Sequence, residues 1–494
     1  MRGDEMSKLE RLKISDDKRH LVTMSGKPFF WLADTDWTVP MRLKWDDALY
    51  LMDKRVQQGF TVLQMVALDP EMDYGMHNPC GEPALFDYDL SKRNEKYFEY
   101  LDWIIEEADK RGLYICLLPI WGQLVVGEDW TGRTYEKTMT VDNAYAYGQW
   151  IGRRYKDRDN IVWCLGGDRQ PIHKGVDYKA VWRLLAEGIG NGVTGKDLKW
   201  NVWDEDWSRA LMTYHTCYEM ETGKYSTMTY WDDADVWIDF IMLQSGHGTT
   251  SQNYNQVKED YNRAVTKPIF DGEPAYEQMP TGWPGDFPLH DAWMVRKRAY
   301  WSLFAGAFGH TYGHASVWCT ISEKDKAGRP CTWYEALDRP GAWQMRVLRD
   351  FVDSRPFDQV IPCQEMIAHS AHCGDGCLDD HRQACVDKEG RFAFIYMSSG
   401  GNESVDLSKL AGGQLKGWWF NPGNGECSGE AFTLDNDRQW TSFTSPDCGD
   451  HNDWILVLED VALNWSQPGR PLSQVLKEFE MPKAEVEKVF PGWE

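Results

Sequence analysis

Eight short apolar runs alternate with amphipathic segments between Lys27 and Tyr312, and this alternation restricts the chain more than any other feature. The runs are "KPFFWLADTDW" from Lys27, "TVLQMVAL" from Thr61, "YICLLPIWG" from Tyr114, "NIVWCLGGD" ending at Asp168, "ALMTYHTC" from Ala210, "DFIMLQSGHG" from Asp239, "KPIFDGE" from Lys267, and "HTYGH" from His310. Between them lie segments with helical spacing. Ala48, Leu51, Met52 and Val56 share one face before a stop at Gly59. Tyr97, Leu101, Ile104, Ile105 and Ala108 share another before Gly112. Strand and helix in alternation imply parallel strands joined by right-handed crossovers. Eight such units predict a (β/α)8 TIM barrel. A doubly wound sheet would want a Gly-rich phosphate loop after the first strand, and "LADTDWTVP" contains no glycine.

Past Asp353 the texture changes. "RFAFIYMSSGG", "QLKGWWFNPGNGE", "AFTLDND" and "DWILVLED" read as strands separated by Gly, Pro, Asn and Ser turns, a C-terminal antiparallel β-sandwich pattern. The chain's 494 residues suit two domains. The expected division is an N-terminal extension over 1–20, a catalytic barrel over 21–357 and a β-sandwich domain over 358–494. Trp418 and Trp419 are expected to pack inward.

A formal net charge of −24 repels phosphate backbones and anionic lipid, so nucleic acid and membrane are not expected partners. The N-terminus shows no secretion-type apolar region and no apolar stretch reaches the length of a membrane span, so the chain reads as cytoplasmic. Aromatic residues make up 14%, with 26 Trp, which suits stacking against the C–H faces of sugars. The cluster His369, His372, Cys373, Cys377, His381 and Cys385 has one pair at a zinc-compatible spacing but no second pair, so unpaired thiols are expected there and no metal or cofactor is.

Two runs end alike. Ile161–Leu165 breaks at Gly166-Gly167 and offers Asp168; Ile269–Asp271 breaks at Gly272 and offers Glu273. In a barrel of this kind the site lies at the C-terminal ends of the strands, so both acids would face one mouth. Glycines there let backbone and substrate approach closely. Two carboxyl groups facing one substrate are the minimum equipment for glycoside hydrolysis: one donates a proton to the leaving oxygen, the other attacks or activates water. The side chain of Arg169 is expected to diverge from that of Asp168.

"FFWLADTDW", "YLMDKRVQQGFTVLQ", "IVWCLGGDR", "KPIFDGEPAYE" and "AGAFGHTYG" resemble the signatures of apiosidase-like glycoside hydrolases, over about Leu21 to Arg355. The tail resembles the β-domain that follows in that family and carries a collagen-binding label. The resemblance implies Asp168 as general acid/base and Glu273 as nucleophile, with retention of configuration. It implies an exo-acting hydrolase that releases apiose, or a related β-linked furanosyl or pentosyl residue, from plant-derived oligosaccharides or glycosides. Alternatives are a retaining β-glycosidase of other specificity and a silent carbohydrate-binding protein. The partner is then a small carbohydrate or plant glycoside, with the oligomeric state open and a homo-oligomer included. Further substrate-binding candidates are Asp34, Trp37, Gln64, His215, Tyr276 and His310. Asp34 would bond substrate hydroxyls or hold loop backbone; Trp37 would be a stacking wall or core; Gln64 would reach the cavity or be a satisfied buried amide. His215 and His310 stand at strand ends and favour substrate contact. Tyr276 would orient Glu273 or merely pack. Glu277 reads as a loop carboxylate, and His314 fits no zinc frame.

Overall fold

The structure is a computed structural model and describes residues 9–70, 75–129, 131–219, 223, 225–249, 251–281, 288–368 and 380–479. Each apolar run becomes a strand: β1 Trp31–Thr35, β2 Val62–Val66, β3 Tyr114–Leu118, β4 Ile161–Gly166, β5 Met212–His215, β6 Ile241–Leu243, β7 Ile269–Asp271 and β8 Gly309–Tyr312. They form one parallel sheet in the order β5-β4-β3-β2-β1-β8-β7-β6. The expected TIM barrel is what the chain adopts. The strands are apolar on both faces because both faces are covered. Trp31, Ala33, Val62, Cys116, Cys164, Phe240, Met242 and Phe270 fill the interior. Leu32, Leu63, Met65, Ile115, Trp163, Leu165 and Tyr214 face the helices. Leu12 and Leu21, from a small N-terminal antiparallel sheet, join the interior cluster.

Helices α1 Trp45–Gln57, α2 Glu95–Lys110, α3 Ala144–Arg154 and α4 Lys179–Thr194 follow the first four strands. α5 Asn253–Tyr261, α6 Ala292–Phe304 and α7 Pro340–Asp353 follow the last three. Between β5 and β6 the described residues hold only short 3-10 turn, Thr227–Thr229, where a helix would stand. The seam is closed by few bonds. Asp239 N–H donates to Met212 O at 2.9 Å and Thr213 Oγ1 to Phe240 O at 2.6 Å. The Thr227 hydroxyl bridges both strands, 2.6 Å from Tyr214 O and 3.0 Å from Met242 O.

α3 and α4 meet backbone to backbone. A Cβ on Gly148 would lie 2.5 Å from Leu185 O, and one on Gly188 would lie 2.3 Å from Tyr145 O. Any larger residue at either position would push the two helices apart.

The tail forms β9 Val360–Pro362, β10 Arg382–Asp387, β11 Phe392–Met397, β12 Gly400–Asp406, β13 Gln414–Phe420, β14 Phe432–Asp435, β15 Trp440–Cys448 and β16 Trp454–Asp460. Six of these make an antiparallel sheet, β9-β10-β11-β16-β13-β14, and β12 pairs with β15 as a separate ribbon. Ala393, Ile395, Met397, Leu456 and Leu458 pack against Val405 and Phe443 of the ribbon, completing a β-sandwich. The opposite face, with Phe394, Tyr396 and Val457, packs on the barrel. Tyr396 stacks on Tyr300 at 5.2 Å, and Phe394 meets Phe351 at 4.9 Å. Helix α6 is therefore enclosed between barrel and sheet, and its Arg296 is buried on a bidentate pair with Asp453, at 2.5 and 2.9 Å. Trp418 and Trp419 are half-buried, Trp418 on the barrel side of the sheet and Trp419 on the ribbon side.

His369, His372, Cys373 and Cys377 lie outside the described residues. Of that cluster, His381 stacks flat on Tyr254 with ring centroids 3.4 Å apart, and Cys385 is buried in the core. No helix among the described residues is long and apolar enough to cross a membrane.

Candidate active site

The break at Gly166-Gly167-Asp168 is a turn of three consecutive left-handed residues, with φ of 91°, 95° and 49°. Only residues without a side chain fit its first two places. A Cβ on Gly166 would fall 2.2 Å from His215 O, and one on Gly167 would fall 2.7 Å from the Trp121 ring. Aspartate is among the few other residues that tolerate this backbone region. The turn aims the Asp168 main-chain N–H at His215 Nδ1, 2.7 Å away. It also brings Asp168 and Arg169 together, where an extended strand would have parted them. Arg169 Nη1 donates to Asp168 Oδ2 at 3.1 Å, and Gln244 Nε2 donates to Oδ1 at 2.9 Å. The Asp168 side chain keeps 21% of its surface exposed.

At the other edge, β7 delivers Glu273 through Gly272. Gln64, inside the barrel and fully buried, holds this end in place: its Nε2 donates to Gly272 O at 3.1 Å, and Thr311 Oγ1 lies 3.4 Å from its Oε1. It is the satisfied buried amide. Glu273 is only 7% exposed. Its Oε2 lies 2.6 Å from His215 Nε2, and its Oε1 lies 3.5 Å from His247 Nε2. Burial alone would push this carboxyl up, but the bonds from His215 and His247 more than offset it and hold the group well below the usual carboxylate range.

His215 thus touches both acids. Trp37 meets its ring edge-on at 5.4 Å and Trp121 lies at 5.8 Å, and both indoles belong to the buried interior cluster. Tyr276 packs on His247 with centroids 4.5 Å apart. Burial, and then the charges of Glu273 and Asp168, push its phenol up. The structure accordingly brings Asp168, Glu273, His215, Trp37 and Tyr276 together. His247, Gln244 and Trp121 join them without having been singled out in the sequence, and Arg169, expected to diverge from Asp168, joins as its partner. The first two sit just past the end of β6, in "LQSGHG", where the strand-end rule that found Asp168 applies equally.

Asp34 and His310 are not brought to this mouth. Strand pleating puts Ala33 and Thr311 inside and turns their neighbours outward. His310 lies behind the wall, with Nδ1 3.4 Å from Ser302 Oγ on α6, and burial pushes its imidazole down to about 3. Asp34 is fully buried against α1, where Arg55 Nε donates to its Oδ2 at 2.5 Å. Arg55 also reaches Gln58, whose amide donates to Leu337 O. Asp36 is buried beside this pair; burial, and then the charge of Asp34, push it well above the usual range. Glu277 sits on the outer side too, bonded by Tyr312 Oη at 2.6 Å and by Gly341 N–H at 3.1 Å. His314 pairs with Gln278 at 3.0 Å. Among the described residues no group of His, Cys, Asp or Glu is arranged to hold a metal ion.

Arg55 is the counter-charge of this outer cluster. Arg55→Met is expected to destabilise the protein by ~3–5 kcal/mol, because a buried carboxylate is left unpaired. Burial already raises Asp34 even against the pull of Arg55. A raised carboxyl contributes stability below its unfolded value of about 4 and loses it as the pH rises. The deficit should therefore be greatest at neutral pH and shrink towards pH 4, as urea melts at the two values would show.

Residues 15–359 match the family described as "Apiosidase-like, catalytic domain". Residues 361–459 match a domain family that carries a provisional label as the collagen-binding domain of a collagenase. No curated protein matches the chain. A solved structure described as a glycoside hydrolase is 30% identical and superposes with a TM-score of 0.78, over 92% of this chain and 97% of that one. A glycoside hydrolase family 5 structure from Bacteroides vulgatus ATCC 8482 is 28% identical with a TM-score of 0.79, over 96% of this chain and 100% of that one. The chain belongs to the apiosidase-like glycoside hydrolases.

Proposed function

We propose that the protein is a retaining exo-glycosidase that releases apiose, or a related β-linked furanosyl or pentosyl residue, from plant-derived oligosaccharides or glycosides. The observation that carries this is the contrast between the two acids. Glu273 is buried and held ionised, as a nucleophile must be. Asp168 is partly open, as a group that exchanges protons with leaving group and water must be.

In the first step Asp168 protonates the glycosidic oxygen while Glu273 attacks the anomeric carbon. The bond to the leaving group breaks, and a glycosyl ester forms. In the second, Asp168 takes a proton from water, which attacks the same carbon and returns Glu273 as a carboxylate. Oε1 of Glu273, 3.5 Å from His247, is the freer oxygen for attack. Trp37 and Trp121, with centroids 5.3 Å apart, are packed on each other and almost fully buried behind His215. The family's description supplies the choice of apiose.

A panel of aryl, flavonoid and oligosaccharide glycosides, with the freed sugar identified chromatographically, tests the reading. Apiose should be released. Release of a different sugar would overturn the specificity and leave the chemistry; no release across apiosyl and other pentosyl substrates would favour a silent binding protein.

A further inference from the structure

We propose that His215 is a positioning residue that works as a neutral imidazole: the Asp168 main chain fixes Nδ1 as an acceptor, which commits Nε2–H to Glu273. The inference rests on the reading of Glu273 as the nucleophile. It gives the Gly166-Gly167-Asp168 turn a second task, since the segment that presents the acid/base also orients the nucleophile.

The argument begins with a backbone amide, which can only donate. The Asp168 N–H lies 2.7 Å from His215 Nδ1, so that nitrogen must present its lone pair. A proton on it would face another N–H at hydrogen-bond distance. A neutral ring with Nδ1 bare carries its hydrogen on Nε2, and Nε2 lies 2.6 Å from Glu273 Oε2. The ring is fully buried, and Trp37 and Trp121 pack on it, so it has no room to turn over. The left-handed Gly166-Gly167 turn, which carries the peptide plane before Asp168, points this N–H at the ring.

A neutral donor suits both states of the nucleophile. It bonds the carboxylate without cancelling its charge, which an imidazolium would do. Once the glycosyl ester forms on the other oxygen, Oε2 becomes a carbonyl, and the same N–H still has an acceptor. No proton need move at His215 in either step. The other groups facing Glu273 are His247 from the loop after β6, Tyr276 on its own loop, Asp168 from β4, and Cys217 past β5, whose thiol burial keeps neutral.

Two measurements test this. In long-range proton–nitrogen spectra of the full chain at neutral pH, a histidine signal with a bare Nδ1 and a protonated Nε2 should vanish in His215→Asn. A protonated Nδ1 at His215 in that spectrum would overturn the proposal. The second is the pH profile of kcat/KM for His215→Phe and His215→Gln. In the wild type the bonds from His215 and His247 help hold Glu273 below the usual carboxylate range. Without the His215 bond, burial acts with less opposition and raises it, so the Phe variant should lose activity first at low pH. Misplacement of the nucleophile should lower kcat by about 10²-fold at all pH values as well. Gln can supply an N–H near the position of Nε2 and should recover most of both effects. A merely structural His215 would lower melting temperature and activity without moving the acid limb, and Gln would not rescue; that result would overturn the proposal. An active Glu273→Ala would sink the nucleophile assignment instead, whatever the spectra of His215 showed.

Discussion

Glu273→Ala is expected to lower turnover by about 10⁴-fold or more for every leaving group, because it removes the atom that forms the bond to the sugar. Asp168→Ala should behave differently. An aryl leaving group that needs no proton should depart nearly as in the wild type, whereas a sugar or alkyl leaving group should be slowed by about 10²–10⁴-fold. The glycosyl ester would then accumulate, since no base activates water. Azide needs no base, so adding it should restore turnover and yield a glycosyl azide of retained configuration. Proton spectra of the first-formed sugar and of the azide decide the stereochemistry. An inverted product would rule out double displacement while leaving both acids catalytic. Full activity in both alanine variants would make these residues ordinary strand-end acids.

Truncation at Pro362 is expected to give an insoluble barrel. Removing the tail uncovers Tyr300, Phe304 and Phe351, which stack on Tyr396 and Phe394. It also strands the Arg296 guanidinium, whose carboxylate partner is Asp453. Losing one member of a buried ion pair costs ~3–5 kcal/mol before any apolar exposure is counted. Further bonds cross the junction: Trp293 Nε1 donates to Ser398 O at 3.1 Å, and Arg355 Nε to Glu459 Oε2 at 2.7 Å. Solubility and circular dichroism of residues 1–361 check the expectation. A soluble, fully active barrel would make the tail an accessory module.

The barrel could be read in the sequence because strands covered on both faces are apolar throughout, and such runs stand out against amphipathic helices. Asp168 and Glu273 could be read because glycine precedes each. What the sequence did not show was parity. Ala33 and Thr311 point inward, so Asp34 and His310, one residue away, point outward, and nothing in "LADTDW" or "GHTYG" marks which alternate is which. Strands β12 and β15 also escaped notice. "GGNESVD" and "WTSFTSPDC" pair as a partly exposed ribbon and carry little apolar signal. Helix α6 is apolar or buried all round, for a reason that lies a hundred and more residues away in the tail. The pairing of Arg169 with Asp168 depends on a left-handed turn, which the two glycines announce only in hindsight.

The thin seam between β5 and β6 has a consequence for how such an enzyme changes over time. Seven of the eight strand-to-strand borders are main-chain ladders, and moving one of them disturbs a whole row of amides. The eighth rests on the reciprocal pair of Met212 and Asp239, whose amides donate to the Asp239 carboxylate and to Met212 O, and on two threonine hydroxyls, so the circumference has its slack there. The strands on either side of that slack end at His215 and lead to Gln244 and His247, the groups that hold Asp168 and Glu273. A lineage that lengthened, shortened or recast residues 216–240 would shift the spacing of the two acids without dismantling the barrel, and drift in sugar preference has its least obstructed route through that border.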